Sequence, residues 1–530
     1  MSELVNELIH RTARDRGDAV ALQHGRNTLT YRALDDATRA TAKGLVGLGL
    51  DRGERVAIYL EKRMETVISM FGAAAAGAVY VPINPLLKPQ QAAYIMRDCN
   101  VRVLITSPER LRTLAEALGE CHDLRHIVLT EGSGGPPEGL PQRLVGWKAL
   151  ADDGAQSSRA PHRVIDADMA AILYTSGSTG MPKGVVLSHR NIVTGAKSVS
   201  SYLGNRPDDR LLCVLPFSFD YGMSQLTTAF NVGATAVLIN YLVPRDVVRA
   251  CAADAITGLA CVPPLWMQLA ALDWPAAAVA KLRYITNSGG AMPGETLKAL
   301  RQRLPQTSVY LMYGLTEAFR STYLPPSEVD RRPDSMGKAI PNAEILVVRE
   351  NGEVCGPGEP GELVHRGALV SLGYWNDPAR TAERFKPAPG QPQGICMPEI
   401  AVWSGDTVRM DEDGYLYFVG RRDEMIKTSG YRVSPTEVEE VIYATGLVAE
   451  AIVVGVAHPT LGQGIVAIAS PLKGKTLDAD AVLAHCKREL PAFMVPQQIV
   501  TRDELPRNPN GKIDRKSLAR EVATIFGVAA

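Results

Sequence analysis

The sequence lacks the features that mark nucleic-acid-binding, metal-stapled or secreted proteins. Its 57 basic residues are balanced by 57 acidic residues, so no excess of charge favours nucleic acid or an anionic membrane as a partner. The eight cysteines are scattered, without a Cys-x-x-Cys pair or a neighbouring histidine cluster, which indicates neither a zinc site nor a disulfide framework. We therefore expect a reducing, cytoplasmic environment.

Long hydrophobic runs are also missing. The start of the chain, MSELVNELIHRTARDRGDAV, carries charge throughout and has no apolar centre of the kind found in signal peptides. The most apolar run, MFGAAAAGAVYV from Met70, is interrupted by glycine and ends at Pro82, which predicts a buried helix leading into a strand. We expect a soluble protein without membrane insertion, whose partners are small molecules or other proteins.

The length of 530 residues exceeds what one hydrophobic core usually supports, so two or more domains are expected. Helix-period segments such as residues 31–50 alternate with short β-rich runs such as 55–60 and 101–107, which is typical of an α/β fold. From Gly361 onward, closely spaced strands separated by Gly and Asp turns predict an antiparallel, β-rich region.

A compact βα unit follows that region. Ser434 is predicted to cap a helix, with Pro435 in its first position and Glu437 completing a capping box, and residues 451–457 read as a buried strand. We therefore predict an α/β protein with a large N-terminal domain of α/β subdomains over residues 1–421. A small, mobile α+β C-terminal domain is predicted over residues 422–530.

One glycine-rich stretch, YTSGSTGMPKG from Tyr174, combines three glycines with a single lysine. Backbone N–H groups can approach an anion closely where no Cβ intervenes, so the stretch indicates phosphate binding. It does not follow the Gly-x-x-x-x-Gly-Lys-Ser/Thr pattern of the common phosphate loop. It is flanked by apolar strands at 170–174 and 185–187, and Ser188 is predicted to cap the helix that follows.

Ten motifs in this order resemble the adenylate-forming superfamily of acyl-CoA synthetases, amino-acid adenylation domains and luciferases. They are LTYRAL (Leu29), GAVYVPINP (Gly77), the stretch above, SGGAMP (Ser288), YGLTE (Tyr313), GELVHRG (Gly361), WSGDTVRM (Trp403), GRRDEMIKTSGYRVSPTEVE (Gly420), LPAFMVP (Leu490) and NPNGKIDR (Asn508). The resemblance covers nearly the whole chain, and the shared order makes coincidence an inadequate explanation.

The resemblance implies a two-step reaction. A carboxylate is a poor electrophile, so attack on the α-phosphorus of ATP first converts it to an acyl-adenylate with release of pyrophosphate. A phosphopantetheine thiol, from CoA or a separate carrier protein, then displaces AMP to give a thioester. Negative charge gathers on the phosphoryl oxygens in the first step, so catalysis should depend on positioning and on cationic stabilisation.

The resemblance also assigns the ATP site. It implies that the glycine-rich stretch holds the β- and γ-phosphates; a plain hairpin connection is the structural alternative. It implies that Tyr313 stacks on adenine beside Gly314, that Thr316 contacts the α-phosphate and that Glu317 holds Mg²⁺, although a Glu can equally begin a solvated helix. The residues implied at the phosphates are Thr175, Ser176, Gly177, Thr179, Gly180 and Lys183, and those at the adenine wall, which also read as a common turn, are Gly289, Gly290 and Ala291.

The ribose and the hinge are assigned in the same way. Asp406 resembles the carboxylate that accepts hydrogen bonds from the ribose hydroxyls, and Arg421 resembles its companion, with a surface ion pair as the alternative. Asp423 matches the hinge about which the second domain rotates, and it could also cap a turn.

Two lysines of the small domain are expected to act in different steps. The resemblance gives Lys512 to adenylate formation, whereas Lys427 and Gly430 belong to the face that later lines the thiol tunnel. A glycine at 430 would leave room for a narrow pantetheine arm.

The acid-binding segment departs from the acyl-CoA synthetase pattern. Where many such enzymes carry a histidine, this chain has LPFSFDYGMSQL, and its Phe219–Asp220 pair resembles amino-acid adenylation domains, in which the aspartate pairs with the substrate ammonium. The alternative is that Asp220 caps a helix beginning near Tyr221. An amino acid, small or cyclic, is therefore the expected substrate, with a fatty or aryl acid as the alternative.

The acceptor and the class of protein leave further alternatives. The chain ends soon after the Lys512 motif without a phosphopantetheine attachment segment, so we expect a stand-alone ligase that serves CoA or a free-standing carrier protein. A luciferase-like oxygenase would begin from the same adenylate. A nucleotide-binding sensor on this fold would be expected to lose the catalytic lysine while keeping the ATP pocket. The presence of Lys512 and Glu317 argues against that class.

Overall fold

The computed structural model describes residues 3–131, 137, 139–175, 181–392, 394–421, 425–472, 474–506 and 513–528. Residues 295, 420, 421, 436 and 516 are described by their backbone alone.

The secondary structure alternates between helices and strands in the first half and becomes richer in strands after residue 308. The strands are β1 (Val20–His24), β2 (Asn27–Thr30), β3 (Arg55–Tyr59), β4 (Val79–Pro82), β5 (Val101–Thr106), β6 (His126–Leu129), β7 (Arg143–Gly146), β8 (Met169–Thr175), β9 (Lys183–Ser188), β10 (Arg210–Cys213), β11 (Thr235–Leu238), β12 (Gly258–Cys261), β13 (Tyr284–Asn287), β14 (Ser308–Tyr313), β15 (Thr322–Leu324), β16 (Ser335–Ala339), β17 (Ala343–Val348), β18 (Pro360–Gly367), β19 (Phe385–Pro387), β20 (Ile400–Met410), β21 (Leu416–Arg421), β22 (Ile426–Thr428), β23 (Tyr431–Val433), β24 (Val448–His458), β25 (Gly462–Pro471) and β26 (Gln498–Thr501). The helices are α1 (Glu7–Arg16), α2 (Tyr31–Gly47), α3 (Met64–Ala76), α4 (Pro89–Asp98), α5 (Pro108–Leu114), α6 (Trp147–Gln156), α7 (His189–Tyr202), α8 (Asp220–Val232), α9 (Pro244–Ala253), α10 (Pro263–Ala270), α11 (Ala276–Lys281), α12 (Gly294–Arg303), α13 (Pro378–Arg384), α14 (Pro435–Ala444), α15 (Ala479–Glu489) and α16 (Arg515–Glu521).

One sheet of the N-terminal part has the strand order β7-β6-β5-β3-β4-β8-β9. Its strands run parallel except for the last pair, in which β9 returns antiparallel to β8. The apolar run at Met70 forms the end of the largely buried helix α3 and leads into β4, as the sequence predicts. The glycine-rich stretch therefore connects two neighbouring strands at the edge of this sheet.

A second, longer sheet has the order β17-β18-β20-β21-β16-β15-β14-β13-β12-β10-β11-β1-β2. Strands β10 to β14 pair in parallel, and the pairing becomes antiparallel from β15 onward. The sequence predicted an antiparallel region from Gly361 onward. In the structure this region begins earlier, because the short strands β15 and β16 already pair antiparallel.

The third sheet belongs to the C-terminal part and has the order β23-β22-β25-β24, with β26 parallel to β25. Its helix α14 starts as predicted: Ser434 is the N-cap, its hydroxyl accepts from the Glu437 N–H at 3.4 Å, and Pro435 occupies the first turn. The predicted capping box is wrong in its second half. The Glu437 carboxyl lies 3.5 Å from the Gln91 side-chain amide of the N-terminal part instead of returning to the N-cap.

The predicted α/β class, with a larger N-terminal part and a smaller C-terminal part, is confirmed. The proposed boundary between residues 421 and 422 lies between β21 and β22, which belong to different sheets, and it remains a prediction. The eight cysteines are free thiols. Within the described ranges, no helix is long and apolar enough to cross a membrane.

Candidate active site

A cavity of about 810 Å³ lies where the carboxyl ends of parallel strands β12, β13 and β14 meet β22 and β23 of the C-terminal part. Ligands commonly bind outside the carboxyl ends of such strands, because the following loops converge there. Most of the described sequence-predicted residues line this cavity: Thr175, Asp220, Gly289, Gly290, Ala291, Tyr313, Gly314, Thr316, Lys427 and Gly430.

The predicted adenine and ribose residues are in contact with each other. Tyr313 ends β14, and its hydroxyl donates a hydrogen bond to the Asp406 carboxylate on β20. Asp406 is buried, and its backbone is paired with that of Arg421 across β20 and β21. Tyr313 and Asp406 lie far apart in sequence, and the fold brings them together. The antiparallel pairing of β20 with β21 places Asp406 opposite Arg421.

Lys183, Glu317 and Tyr374 form a compact polar cluster. The Lys183 ammonium lies 3.2 Å from Glu317 Oε1 and 2.8 Å from the Tyr374 hydroxyl. That hydroxyl donates to the same Glu317 oxygen at 2.6 Å. The predicted phosphate-contacting lysine and the predicted metal ligand are therefore an ion pair in this structure, with a tyrosine linking them.

Charge interactions decide the ionisation of this cluster. Burial raises the pKa of Glu317, but the nearby Lys183 and the Tyr374 hydrogen bond outweigh it and lower that pKa to about 2. Burial lowers the pKa of Lys183, and Glu317 partly compensates. Glu317 is thus a carboxylate throughout the physiological range, which is the state a cation requires.

Asp220 occupies the first turn of α8 and lines the cavity. The N-cap of that helix is Phe219, and no side chain caps the helix. The alternative prediction, that Asp220 is the N-cap of this helix, is therefore not what the structure shows. Its Oδ1 accepts a hydrogen bond from Thr316 Oγ1 at 3.0 Å. Burial raises the pKa of Asp220, whereas Arg320 and the Thr316 hydroxyl oppose that rise.

The C-terminal part presents β22 and β23 to the cavity. Gly430 has a φ of +82°, and a Cβ placed there would lie 2.6 Å from Val262 Cγ2, so only glycine fits this contact. The Tyr431 ring stacks on Phe493 at 3.7 Å and meets the Phe219 ring edge-on at 5.2 Å. In this arrangement, the face carrying Lys427 and Gly430 is packed against the N-terminal part.

Several buried polar atoms around the cavity have no hydrogen-bond partner among the described residues. They are Thr175 Oγ1, Ser218 Oγ, Asn287 Oδ1 and Arg320 Nε. Buried polar groups are ordinarily paired, so such a concentration is typical of a ligand-binding cavity.

The comparisons with known proteins agree with this geometry. Residues 9–375 match the AMP-binding enzyme family, and residues 437–512 match the AMP-binding enzyme C-terminal domain. The chain belongs to the AMP-binding enzyme family. It is accordingly an AMP-forming ligase, as the motifs implied.

Known relatives of this AMP-binding enzyme include proteins of two kinds. The chain is 29% identical to tyrocidine synthase 3 of Brevibacillus parabrevis over 98% of its own length, and it spans 8% of that much longer protein. It is 29% identical to the long-chain-fatty-acid–CoA ligase of Salmonella typhimurium over 97% of this chain and 94% of the relative. The solved structure of ATP-bound MatB from Rhodopseudomonas palustris is 25% identical, with a TM-score of 0.68 over 99% of this chain and all of that one.

Some predicted site residues lie outside the described part of the molecule. They are Ser176, Gly177, Thr179 and Gly180 of the glycine-rich stretch, Asp423 at the predicted hinge, and Lys512. The side chain of Arg421 is also outside it. Their roles stay predictions from the family resemblance.

Two residues of the cavity region were not identified from the sequence. Tyr374 was not singled out because its partner Glu317 is 57 positions away, and only the fold brings the two together. Arg320 was overlooked although it is the one charged residue in AFRSTYL, and a buried arginine is unusual. That isolation was the available signal.

Proposed function

We propose that this AMP-forming ligase activates an amino acid. The carboxylate of the acid attacks the α-phosphorus of ATP, the bond to pyrophosphate breaks, and an aminoacyl-adenylate results. A phosphopantetheine thiol of CoA or of a separate carrier protein then attacks the acyl carbon and releases AMP. The single observation that carries the substrate class is Asp220, a half-buried carboxylate in the cavity that accepts a hydrogen bond from Thr316, the residue assigned to the α-phosphate.

The residues suit these roles. Tyr313 and the Gly289–Ala291 segment would bound the adenine, Asp406 would receive the ribose hydroxyls, and Lys183 would meet the departing phosphates. A carboxylate left in an apolar cavity needs a cation, and a substrate ammonium supplies one. The amino group would thereby be held next to the reacting carboxylate, fixing the acid for in-line attack.

Mg²⁺ fits the ionised Glu317 carboxylate, since this hard cation prefers oxygen ligands. Among the described residues, no group of three His, Cys, Asp or Glu side chains could hold a metal unaided. The phosphate oxygens of ATP would therefore complete its coordination, and the ion would supply neutralisation of phosphate charge. Freeing Glu317 for that purpose requires Lys183 to leave its ion pair and move to the phosphates.

A second candidate is a ligase for a fatty or aryl acid. It is favoured by the full-length match to the long-chain-fatty-acid–CoA ligase and by the apolar residues that share the cavity, including Ile83, Leu86 and Leu265. That candidate leaves the Asp220 carboxylate without a substrate cation.

ATP–pyrophosphate exchange distinguishes the two candidates. The protein is screened with amino acids, fatty acids and aryl acids, together with deamino analogues of every active amino acid. We expect exchange with an amino acid, and Asp220→Asn should weaken it by about 3–5 kcal/mol, the cost of breaking a buried ion pair, without changing the apparent affinity for ATP.

A matched control is Asp246→Asn. Asp246 also lies in the first turn of a helix, α9, where its carboxylate accepts the N–H groups of Leu242 and Val243 away from the cavity. Its replacement should leave exchange unchanged. A preference for a fatty or aryl acid, with Asp220→Asn behaving like the control, would replace the amino-acid proposal with the second candidate.

A further inference from the structure

Arg320 is an arginine buried inside the protein, with only 1% of its surface exposed, and it lines the same cavity as Asp220. One guanidinium nitrogen donates to Ser288 Oγ at 2.9 Å, and the group lies 4.6 Å from the centre of the Tyr221 ring. Its Nε is buried and has no hydrogen-bond partner in the described part of the chain. No carboxylate of the described residues forms a salt bridge with Arg320.

A guanidinium in this position is costly unless an anion reaches it. It has five N–H donors in a planar fork, and a serine hydroxyl and a ring face satisfy only part of that capacity. Burying a charge without a partner is far less favourable than burying it with one.

The backbone next to Arg320 is strained. Phe319 has φ +58° and ψ −55°, and the Arg320 N–H bonds back to the Ala318 carbonyl at 2.6 Å. This is the rare γ-turn with positive φ, a conformation that persists only where the surroundings enforce it and that clusters at ligand-binding sites. The Phe319 ring packs against Gly195, where a Cβ would lie 2.3 Å from the ring. The strained turn at Phe319 thus positions the Arg320 guanidinium at the cavity wall.

Asp220 and Arg320 face one cavity without neutralising each other. They interact through space, but they do not form a salt bridge, and Asp220 instead accepts from Thr316. The cavity therefore presents the half-buried Asp220 carboxylate and the buried Arg320 guanidinium to the same ligand. The ring of Tyr221, the residue after Asp220, lies against the Arg320 guanidinium. The Tyr221 hydroxyl forms a hydrogen bond with Thr286 Oγ1 at 2.6 Å, which fixes the part of the cavity wall between the two charged groups.

We infer that the acid activated by this enzyme is an amino dicarboxylic acid, whose ammonium pairs with Asp220 and whose second carboxylate pairs with Arg320. The inference rests on the proposed function, because it takes the ammonium site as given. One carboxylate of the acid becomes the mixed anhydride with AMP as pyrophosphate leaves. The other carboxylate does not react and is held in the guanidinium fork, where two parallel N–H···O bonds can form.

The test compares acids that differ by one group at a time in ATP–pyrophosphate exchange. Aspartate and glutamate, in both enantiomers, carry all three groups; asparagine and glutamine replace the second carboxylate by a neutral amide; alanine lacks it; succinate and glutarate lack the ammonium. We expect an amino dicarboxylate to exceed its amide by at least about 100-fold in kcat/KM, because the amide leaves the guanidinium unpaired. Chromatography of the trapped hydroxamate beside standards of the two isomeric hydroxamates then shows which carboxylate reacts.

Two variants of Arg320 sharpen the result. Arg320→Met should lower kcat/KM for the dicarboxylate by at least about 100-fold while asparagine or alanine keeps or gains activity, and Arg320→Lys should retain part of the dicarboxylate activity. Arg303→Met is the control, since Arg303 of α12 donates to the Leu272 carbonyl away from the cavity. Stabilisation of each variant by ATP in a thermal melt shows whether it is folded.

The outcomes separate this inference from the proposed function. Exchange driven equally by amino monocarboxylic acids, or unaffected by Arg320→Met, overturns the inference and leaves amino-acid activation standing. Equal use of succinate and aspartate overturns the ammonium site of the proposed function while supporting the role of Arg320. Exchange with only fatty or aryl acids overturns both.

Discussion

Gly430 offers a direct test of how the two parts of the molecule cooperate. A Cβ at this position would lie 2.6 Å from Val262 Cγ2 and 3.0 Å from both Val262 Cβ and Cγ1. Carbon atoms normally pack at about 3.5–4.0 Å, so Gly430→Ala creates an overlap of roughly 1 Å. Because the Val262 Cβ is itself too close, rotating the valine side chain cannot relieve it.

Overpacking of this kind costs about 1–3 kcal/mol. The overlap occurs in the arrangement seen here, with β22 and β23 packed over the cavity, and the family resemblance implies that this face of the C-terminal part serves thioester formation. We therefore expect Gly430→Ala to slow thioester formation by about 5- to 150-fold, since 1.4 kcal/mol corresponds to tenfold. Adenylate formation, which the family resemblance assigns to the other face of the C-terminal part, should keep its rate.

The assay measures single-turnover thioester formation from isolated acyl-adenylate beside ATP–pyrophosphate exchange. Gly446→Ala is the matched control, because Gly446 also has positive φ, +64°, but a Cβ added there would meet no neighbouring atom within 4 Å. It should reproduce the backbone strain without the overlap. The double variant Gly430→Ala with Val262→Ala should recover the lost rate. Equal slowing of both half-reactions, or no recovery in the double variant, would refute the reasoning.

Three further outcomes are expected. Lys512→Ala should reduce adenylate formation by about 100- to 1000-fold, the scale of one lost charge-stabilising donor, while thioester formation from supplied adenylate persists; parallel loss of both steps would contradict this. Tyr374→Phe should destabilise the protein by about 1.5–3 kcal/mol in urea unfolding, because a hydrogen bond to the buried Glu317 carboxylate is lost; an unchanged midpoint would show that the bond contributes nothing. Burial raises the pKa of Glu437 from 4.5 to about 8, although the Gln91 amide opposes it, so the folded protein binds the proton more tightly than the unfolded chain. This contribution to stability is full at low pH and is lost as pH rises toward about 8, and Glu437→Gln should flatten that part of a urea-midpoint profile measured against pH.

The sequence carried much of the fold because local signals agreed with it. The apolar run at Met70 became helix and strand, and Ser188 caps α7 as its position before a helical pattern predicted. The extent of the antiparallel region was misjudged, since strands as short as β15 leave little periodicity to detect. The Glu437 carboxyl departed from its capping box because a tertiary contact with Gln91 competed for it.

Residues of the site could be predicted from the sequence only where they belong to segments that resemble the family. Those motifs identified Tyr313 and Thr316, the Phe219–Asp220 pair identified Asp220, and Tyr313, Thr316 and Asp220 all line one cavity in the structure. Arg320 depends on a strained turn at Phe319, which no propensity predicts, and Tyr374 reaches Glu317 through a fold-level contact. Contacts of high sequence separation and backbone strain were therefore the missing information.

The packing of Phe319 on Gly195 also limits how this enzyme could diverge. Any larger residue at position 195 would collide with the ring, and the turn that orients residue 320 would lose its support. A duplicated copy could acquire a new acid preference by changing position 320 alone, inheriting the turn unchanged. A copy that first altered position 195 would lose the preference without gaining another, so the order of substitutions along such a lineage is constrained.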